Sequence, residues 1–252
     1  MITVGEIYEA LADWAPFETQ ESFDNSGLLI GGAEQPVEFA LLALDLTREV
    51  CEEAVRRRAQ LVVTHHPLIF DPLRQVGSDS IPYRLIQAGI AVISAHTNLD
   101  KAPGGVSDTL ADTLGLAEVE DVPGGDGCVK IGEFSRIFTG ELLARRVKER
   151  LELPMLRLHD AGRPIRRVAL CAGSGGSFLP QVLAAGADAY ITGDVKHNQA
   201  VDAANAGLTL IDAGHYETEA IILEPARQFL QERFPAVEFR RAMGDRALFR
   251  YF

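Results

Sequence analysis

The sequence predicts a mixed α/β protein built from two similar halves, and three observations support this fold class. Short apolar runs alternate with amphipathic segments along the chain, which is typical of mixed sheets flanked by helices. A turn-rich segment at residues 121–126 (DVPGGD) separates two such stretches. Both stretches repeat one pattern of strand, helix and histidine. We therefore expect a first half over residues 1–122 and a second over 123–252, which could be intertwined through a C-terminal segment that packs back on the first.

Three strands and two helices are expected in the first half. The strands are short, nearly uninterrupted apolar runs, and the helices show amphipathic spacing after a cap or turn signal. Thr47 is the expected N-cap of the first helix, and a glycine pair precedes the second. The expected ranges are 39–46, 61–64 and 90–95 for the strands, and 47–58 and 106–114 for the helices.

The second half repeats this alternation after the turn-rich segment. Its apolar runs predict three more strands, and its amphipathic segments predict two more helices, the last of them a single long one. The expected ranges are 167–171, 189–192 and 208–212 for the strands, and 177–185 and 216–234 for the helices.

The two halves carry paired segments that look like copies of one another. The matching segments are AQLVVTHH (59–66) with ADAYITGD (187–194), and AGIAVISAHTNLD (88–100) with AGLTLIDAGHYETE (206–219). We interpret the pairing as an internal duplication. Because α/β proteins bind ligands beyond the carboxyl ends of their strands, the two halves are expected to present ligands to one crevice between them.

Histidines and carboxylates follow these predicted strands. In each copy a histidine precedes a carboxylate by four residues: His96 with Asp100, and His215 with Glu219. The tandem pair His65 and His66 follows another strand directly. Imidazole and carboxylate groups together suit zinc, iron, manganese or nickel. A single histidine at a strand end is more often structural, but this combination of residues favours metal binding. In an extended segment the neighbours His65 and His66 point to opposite sides, which favours two ions rather than one.

Composition and charge narrow the function classes. The net charge of −12 disfavours non-specific binding to nucleic acid, because an acidic surface repels phosphates. The chain lacks the roughly 18 to 20 consecutive apolar residues of a membrane span, and its start lacks the pattern of a signal peptide. We therefore expect a cytoplasmic protein without a membrane partner. Its three cysteines lie far apart in sequence, so neither a disulfide framework nor a cysteine zinc site is expected.

Several signals are weaker, and most of them leave two interpretations open. The segment DNS (24–26) could hydrogen-bond a substrate or turn the chain. The glycine-rich segment 173–177 could bind phosphate through backbone amides or form a tight turn. Asp45, at the end of its strand, could orient a histidine from outside the ligand set. A last group could contact substrate or begin a helix: Asp194, Lys196 and His197.

Six segments carry distinctive motifs: FDNSGLLIGG (23–32), ALDLT (43–47), VVTHHPLIF (62–70), SAHTNLD (94–100), ITGDVKHNQA (191–200) and DAGHYETE (212–219). Together they resemble the NIF-three-like family, whose members are also described as GTP cyclohydrolase 1 type 2 homologues or dinuclear metal centre hexameric proteins. The resemblance runs from about residue 3 to 250 and matches the short form of the family. One departure is Phe23, because family members usually carry tryptophan before DNSGL.

The resemblance implies ligand roles at the matching positions. His65 and His66 would each serve a different ion of a pair of divalent cations, which could be zinc, iron or manganese. Asp100 would bind one of the ions. His215 and Glu219 would complete the site, with Glu219 bridging the pair.

The resemblance also implies a catalytic role and an assembly. His96 would lie just outside the ligand set and carry protons, so His96 and Glu219 are the expected catalytic residues. Members of the family resemble one another in forming toroidal homohexamers, and the same assembly is expected here.

A metal-dependent hydrolase is the function that these expectations favour. Five ligand side chains, one of them bridging, leave open positions for water on each ion, and two neighbouring ions lower the pKa of a shared water and clamp an oxyanion. The family name points to GTP ring opening, so a nucleotide-like or cyclic small molecule is the expected substrate. A phosphoesterase would use the same ions. The non-enzymatic alternative is a metal-binding regulator, an iron-handling protein or a scaffold.

Overall fold

The computed structural model describes residues 1–250. The strands are β1 (Gly27–Ile30), β2 (Phe39–Ala43), β3 (Leu61–Thr64), β4 (Ala91–Ser94), β5 (Ala117–Asp121), β6 (Lys130–Phe138), β7 (Arg157–His159), β8 (Ile165–Leu170), β9 (Ala189–Thr192), β10 (Thr209–Asp212) and β11 (Glu238–Arg241). The α-helices are α1 (Val4–Trp14), α2 (Arg48–Arg57), α3 (Ile81–Ala88), α4 (Thr97–Lys101), α5 (Val106–Leu114), α6 (Gly140–Arg150), α7 (Leu179–Ala184), α8 (His197–Ala206), α9 (His215–Glu219) and α10 (Leu223–Arg233). Within this described range, none of the helices has the length and apolar character that crossing a bilayer requires.

The chain forms two compact units, each with one sheet. The first unit contains Met1–Ala102 and Ile222–Arg246, and the second contains Pro103–Ile221 and the described residues from Ala247 onward. The first unit is discontinuous in sequence because β11 returns to its sheet. The domain division expected after residue 122 stays a prediction.

The first unit is built on a five-stranded sheet in the order β1-β4-β3-β2-β11. Four of the strands run parallel, and β1 pairs antiparallel with β4 at the edge. β3 and β4 are buried along their whole length, which fits their continuous apolar sequences because parallel strands are covered on both faces. Thr64 and Ser94 are register partners, so β3 and β4 end side by side.

The second unit is built on a six-stranded sheet in the order β5-β6-β8-β9-β10-β7. β8, β9 and β10 run parallel, and β7 pairs antiparallel with β10. Tyr190 on β9 is fully buried and belongs to an apolar core cluster of this unit. Thr192 and Asp212 are register partners, so β9 and β10 also end side by side.

The two sheets share a four-strand arrangement. In the first sheet β2, β3 and β4 run parallel, and β1 pairs antiparallel with β4. In the second sheet β8, β9 and β10 run parallel, and β7 pairs antiparallel with β10. In both units the third parallel strand leads into a short helix, α4 or α9. The predicted fold class, a mixed α/β protein with two sheets flanked by helices, is confirmed, and the shared arrangement supports the interpretation of a duplication.

Several elements have the bounds that the sequence predicts. The strands β3 and β9 and the helix α5 match their expected ranges residue for residue. Thr47 caps α2 as expected, because its hydroxyl accepts a hydrogen bond from the backbone N–H of Val50 at 3.3 Å. These elements combine a strong apolar pattern with a clear start or stop signal.

The single long helix expected over residues 216–234 is wrong. The segment is divided into α9, a 3-10 turn at Ala220–Ile222, and α10. Pro225 accounts for the division, because proline lacks the N–H that would bond to the carbonyl of Ile221 and its ring clashes with that carbonyl. The break leaves α9 as a separate short helix that carries His215 and Glu219.

Candidate metal centre

Three imidazole rings meet at the carboxyl ends of β3 and β4 in the first unit. The ring centroids of His65 and His66 are 5.0 Å apart, and those of His96 lie 5.2 Å from His65 and 5.4 Å from His66. Ligand nitrogens of the three rings lie within 4.8 Å of one another. The parallel pairing of the strands causes this grouping, because it brings the residues after β3 beside those after β4.

His65 is oriented by a backbone carbonyl. Its Nδ1 lies 2.9 Å from the carbonyl oxygen of Ala95, an atom that can only accept a hydrogen bond, so Nδ1 carries the proton. In the neutral ring Nε2 then holds the lone pair, and this atom lies 3.5 Å from Oδ1 of Asp100. A lone pair and a carboxylate oxygen at this distance are both electron donors, so the pair suits a cation held by both.

Carboxylates orient the other two rings of the first unit. Nδ1 of His66 lies 2.8 Å from Oδ1 of Asp45, and Nδ1 of His96 lies 2.8 Å from Oδ1 of Asp24. Both contacts place the proton on Nδ1 and leave Nε2 as the ligand atom. A carboxylate on the far nitrogen also makes an imidazole a stronger metal ligand. The Asp45 contact is the one expected from the position of this residue at a strand end.

Asp24 connects the DNS segment to α4. Its side chain is buried, and its Oδ2 accepts hydrogen bonds from the backbone N–H of Thr97 at 3.0 Å and from the hydroxyl of Thr97 at 2.5 Å. Ser26 donates to the same oxygen at 3.1 Å. Burial alone would raise the pKa of Asp24, but the hydrogen bonds from His96 and Thr97 outweigh it and hold this pKa well below its ordinary value of 3.8.

The second unit has a matching histidine at the start of α9. Nδ1 of His215 lies 2.8 Å from Oδ2 of Asp194, which again leaves Nε2 as the ligand atom. That nitrogen lies 3.1 Å from Oε2 of Glu219, one helical turn later, and the Glu219 side chain is only 5% exposed. Asp194 adopts a positive φ of 50°, a left-handed conformation that aspartate tolerates better than most residues.

Two glycines make room for the second-unit pair. A Cβ on Gly173, whose φ is +62°, would lie 2.0 Å from Oε1 of Glu219 and 3.2 Å from Nε2 of His215. A Cβ on Gly193 would lie 2.6 Å from backbone atoms of Gly214 and His215. The backbone N–H of Gly173 is held by the hydroxyl of Thr218 at 2.9 Å. The His215 and Glu219 side chains therefore pack against the backbone of the glycine-rich segment.

The donor chemistry of these residues fits divalent transition ions. Four imidazoles have Nδ1 engaged by an acceptor, so each presents Nε2 as a lone-pair donor: His65, His66, His96 and His215. Asp100 and Glu219 add carboxylate oxygens beside two of these nitrogens. Nitrogen and oxygen donors in this combination suit zinc, iron or manganese.

The structure also shows orienting residues that sequence reasoning missed. Asp24 and Asp194 each hold a histidine ring, although the sequence left both with two interpretations. Their signal was present in the motifs DNSGL and TGD, but the partners lie 72 and 21 residues away. Lys196 and His197 start α8 instead, where the backbone N–H of Lys196 donates to the Gln199 side chain at 2.9 Å. His159 lies on edge strand β7.

Fold and site together define a class of protein. It is a mixed α/β protein that carries histidines and carboxylates at corresponding strand ends of two similar sheets. The family model for Duf34/NIF3 (NGG1p interacting factor 3) matches residues 2–244. The chain belongs to this family.

Curated relatives and solved structures agree with this assignment. The GTP cyclohydrolase 1 type 2 homolog of Clostridium perfringens is 34% identical over 247 residues, which covers 94% of both chains. The GTP cyclohydrolase 1 type 2 of Helicobacter pylori is 34% identical over 227 residues, covering 87% of this chain and 88% of the relative. The crystal structure of a hypothetical protein of Staphylococcus aureus has a TM-score of 0.90 and 29% identity, and covers 100% of this chain and 99% of that one.

Proposed function

We propose that the chain is a hydrolase that depends on two divalent cations. In this proposal His65, His66 and Asp100 act together with His215 and Glu219 to hold the pair, with Glu219 bridging. The main support for the proposal is that the imidazole rings are oriented in the same way. An acceptor engages Nδ1 of each ring and leaves Nε2 for a cation.

The ligand count supports a catalytic rather than a structural pair of ions. Five side chains, one of them shared, supply about three donors to each ion, whereas zinc takes four or five ligands. Bound there, the ions would supply Lewis-acid activation of water and positive charge for an oxyanion. A site whose side chains filled every position could not do this. The pattern of donors therefore favours a hydrolase over a scaffold or a metal-storage protein.

We assign proton transfer to His96. Asp24 holds the ring and keeps the proton on Nδ1, so Nε2 is the atom that takes up and releases a proton. The ring is 18% exposed and stands edge-on to His65 and His66, so it borders the ligands while still reaching solvent. Glu219 has the second catalytic role in this proposal, as the bridging carboxylate.

A nucleotide-like or cyclic small molecule is the proposed substrate. The relative from Helicobacter pylori bears the name GTP cyclohydrolase 1 type 2, and ring opening of a purine begins with attack by water, which a bound cation would activate. A phosphoesterase acting through the same residues is the second candidate, because paired cations also clamp phosphoryl oxygens. We further propose that the protein is cytoplasmic and forms a homohexamer. Light scattering of the purified protein would test the hexamer.

The test is a metal-dependent activity screen with matched variants. Protein purified without chelator and reloaded with zinc, iron or manganese would be assayed against nucleotides, phosphodiesters and cyclic amides. We expect turnover that follows metal content and is lost in His66→Ala and Glu219→Gln while circular dichroism stays unchanged. His159→Gln, a change of a histidine outside the proposed ligands, is the control that keeps activity. No turnover of any substrate by fully loaded protein would contradict the hydrolase and favour a metal-binding regulator.

A further inference from the structure

Two exposed aromatic rings stand beside the histidine cluster of the first unit. Among the described residues three phenylalanines are exposed, and two of them, Phe23 at 65% and Phe70 at 46%, are neighbours. Their ring centroids are 6.4 Å apart with planes inclined at 48°. The Phe70 ring also lies 6.3 Å from the His96 ring in an edge-on arrangement. A continuous aromatic surface therefore leads from His96 through Phe70 to Phe23.

The two rings are attached to segments that the site itself holds in place. Phe23 precedes Asp24, which is fixed by His96 and Thr97. The side-chain amide of Asn25 donates to the carbonyl of Ile69, the residue before Phe70, at 2.5 Å. The positions of both rings are thus coupled to the histidine cluster, as expected for a binding surface that must keep a set distance from reacting groups.

We infer that Phe23 and Phe70 bind a planar aromatic or heteroaromatic ring of the substrate, next to the cations of the proposed function on which this inference rests. The two rings are in contact with each other and border the histidine cluster, and an apolar patch beside convergent polar groups is typical of a ligand-binding surface. A planar ring is the best-matched cover, because aromatic pairs gain from stacked or edge-to-face contact beyond the burial of apolar area.

The charge of the protein strengthens the need for such a contact. With a net charge of −12, the protein does not attract anionic substrates at long range. Binding of an anionic substrate must then come from the cations and from apolar contact close to them. The aromatic surface supplies the second contribution, and it makes the site selective for anions that carry a ring.

Three phosphonates test the inference, because they resist hydrolysis and differ only in the attached group. Methylphosphonate reports the contact between anion and cations alone. Phenylphosphonate adds a planar ring, and cyclohexylphosphonate adds a puckered ring of similar size. Burial of apolar area alone predicts that the cyclohexyl compound binds at least as tightly as the phenyl compound. Aromatic recognition predicts the opposite order.

The experiment is titration calorimetry with the metal-loaded full-length protein. We expect phenylphosphonate to bind about tenfold more tightly than cyclohexylphosphonate. The double substitution Phe23→Leu and Phe70→Leu should remove that preference and leave methylphosphonate binding unchanged. Phe229→Leu is the control, since the Phe229 ring packs on Trp14 at 4.8 Å and should leave the preference intact.

Failure of this inference differs from failure of the proposed function. Equal binding of the two ring compounds, or a phenyl preference that survives the double substitution, overturns the aromatic subsite. If methylphosphonate shows no metal-dependent binding, the result instead contradicts the open coordination positions of the proposed function. A phenyl preference lost in the double variant would then still support the subsite. Absence of binding by all three probes overturns the inference.

Discussion

Nδ1 of His66 lies 2.8 Å from Oδ1 of Asp45, and this contact decides which nitrogen of the ring can bind a cation. The same geometry recurs between His96 and Asp24, and between His215 and Asp194. Each carboxylate holds a proton on Nδ1 and makes Nε2 a stronger metal ligand. The proposed metal-binding function depends on this repeated arrangement.

Replacement of Asp45 by asparagine should weaken metal binding without unfolding the protein. Asparagine retains an oxygen that accepts the hydrogen bond of His66 but lacks the negative charge that makes the imidazole a better ligand. We expect metal affinity to fall roughly 10- to 100-fold, as measured by competition with a chromophoric chelator. Asp13→Asn is the matched control, because Asp13 is an exposed partner of Arg233. Equal affinities of the two variants would show that Asp45 does not tune the ligand.

Replacement of Gly173 by alanine should displace the pair His215 and Glu219. The new methyl group would lie 2.0 Å from Oε1 of Glu219, so that side chain must move. Gly162 offers a matched control because its φ of +70° is similar and a Cβ there meets nothing within 4 Å. Both alanine variants should lose about 1–2 kcal/mol of unfolding free energy from the left-handed backbone conformation.

Only Gly173→Ala should also lower the number of ions bound per chain, as measured by elemental analysis. Full metal content in that variant would contradict the placement of the His215 and Glu219 side chains against the glycine-rich segment.

The carboxyl of Asp24 should make stability depend on acidity. Its pKa in the folded protein is well below the 3.8 expected of an unfolded chain. The stabilisation is therefore fully present above that value, and it is lost as the pH falls from 3.8 towards the folded-state pKa. Asp24→Asn lacks this titration, so its stability deficit should shrink as the pH is lowered to about 3. Urea unfolding of both proteins at several pH values measures the difference, and a deficit that is constant with pH would contradict the assignment.

Tyr190 should contribute to stability through its hydroxyl. The ring is fully buried on β9, and the hydroxyl donates to the carbonyl of Gly175 at 2.7 Å. Burial also raises the pKa of Tyr190 well above its ordinary value, so the group stays neutral and donates throughout the working pH range. Tyr190→Phe leaves the Gly175 carbonyl without this donor, at a cost of about 1–3 kcal/mol.

Urea unfolding checks the Tyr190 prediction. Tyr8→Phe serves as the comparison, since the Tyr8 ring stacks on Phe17 and the stack survives the change. If Tyr190→Phe were as stable as Tyr8→Phe, the Tyr190 hydroxyl would have no structural role.

Local pattern was sufficient for much of the fold. The apolar runs of β3 and β9 and the bounds of α5 were predicted because their signals lie within the segments themselves. The break between α9 and α10 was not predicted, because the amphipathic pattern continues through Pro225 and hides the division that this proline causes. The return of β11 to the first sheet depends on pairing with β2, about 200 residues earlier in the chain.

The candidate site was likewise predicted only in part. Histidines and carboxylates after strands could be read from the sequence, since strand ends are where such side chains collect in α/β proteins. The residues that orient them could not all be found, because a contact such as Asp24 with His96 spans 72 positions and leaves no local pattern. The aromatic surface of Phe23 and Phe70 was likewise invisible, because exposure depends on tertiary packing.

The central proposal is that the histidines and carboxylates assigned as ligands hold one pair of cations, with Glu219 bridging, and magnetic coupling tests it most directly. Protein loaded with manganese(II) would be measured by electron paramagnetic resonance, together with its Glu219→Gln variant and elemental analysis. Paired binding predicts two ions per chain with the spectrum of an exchange-coupled pair, and loss of that coupling in the variant. Two magnetically isolated ions, with a spectrum that Glu219→Gln leaves unchanged, would contradict it.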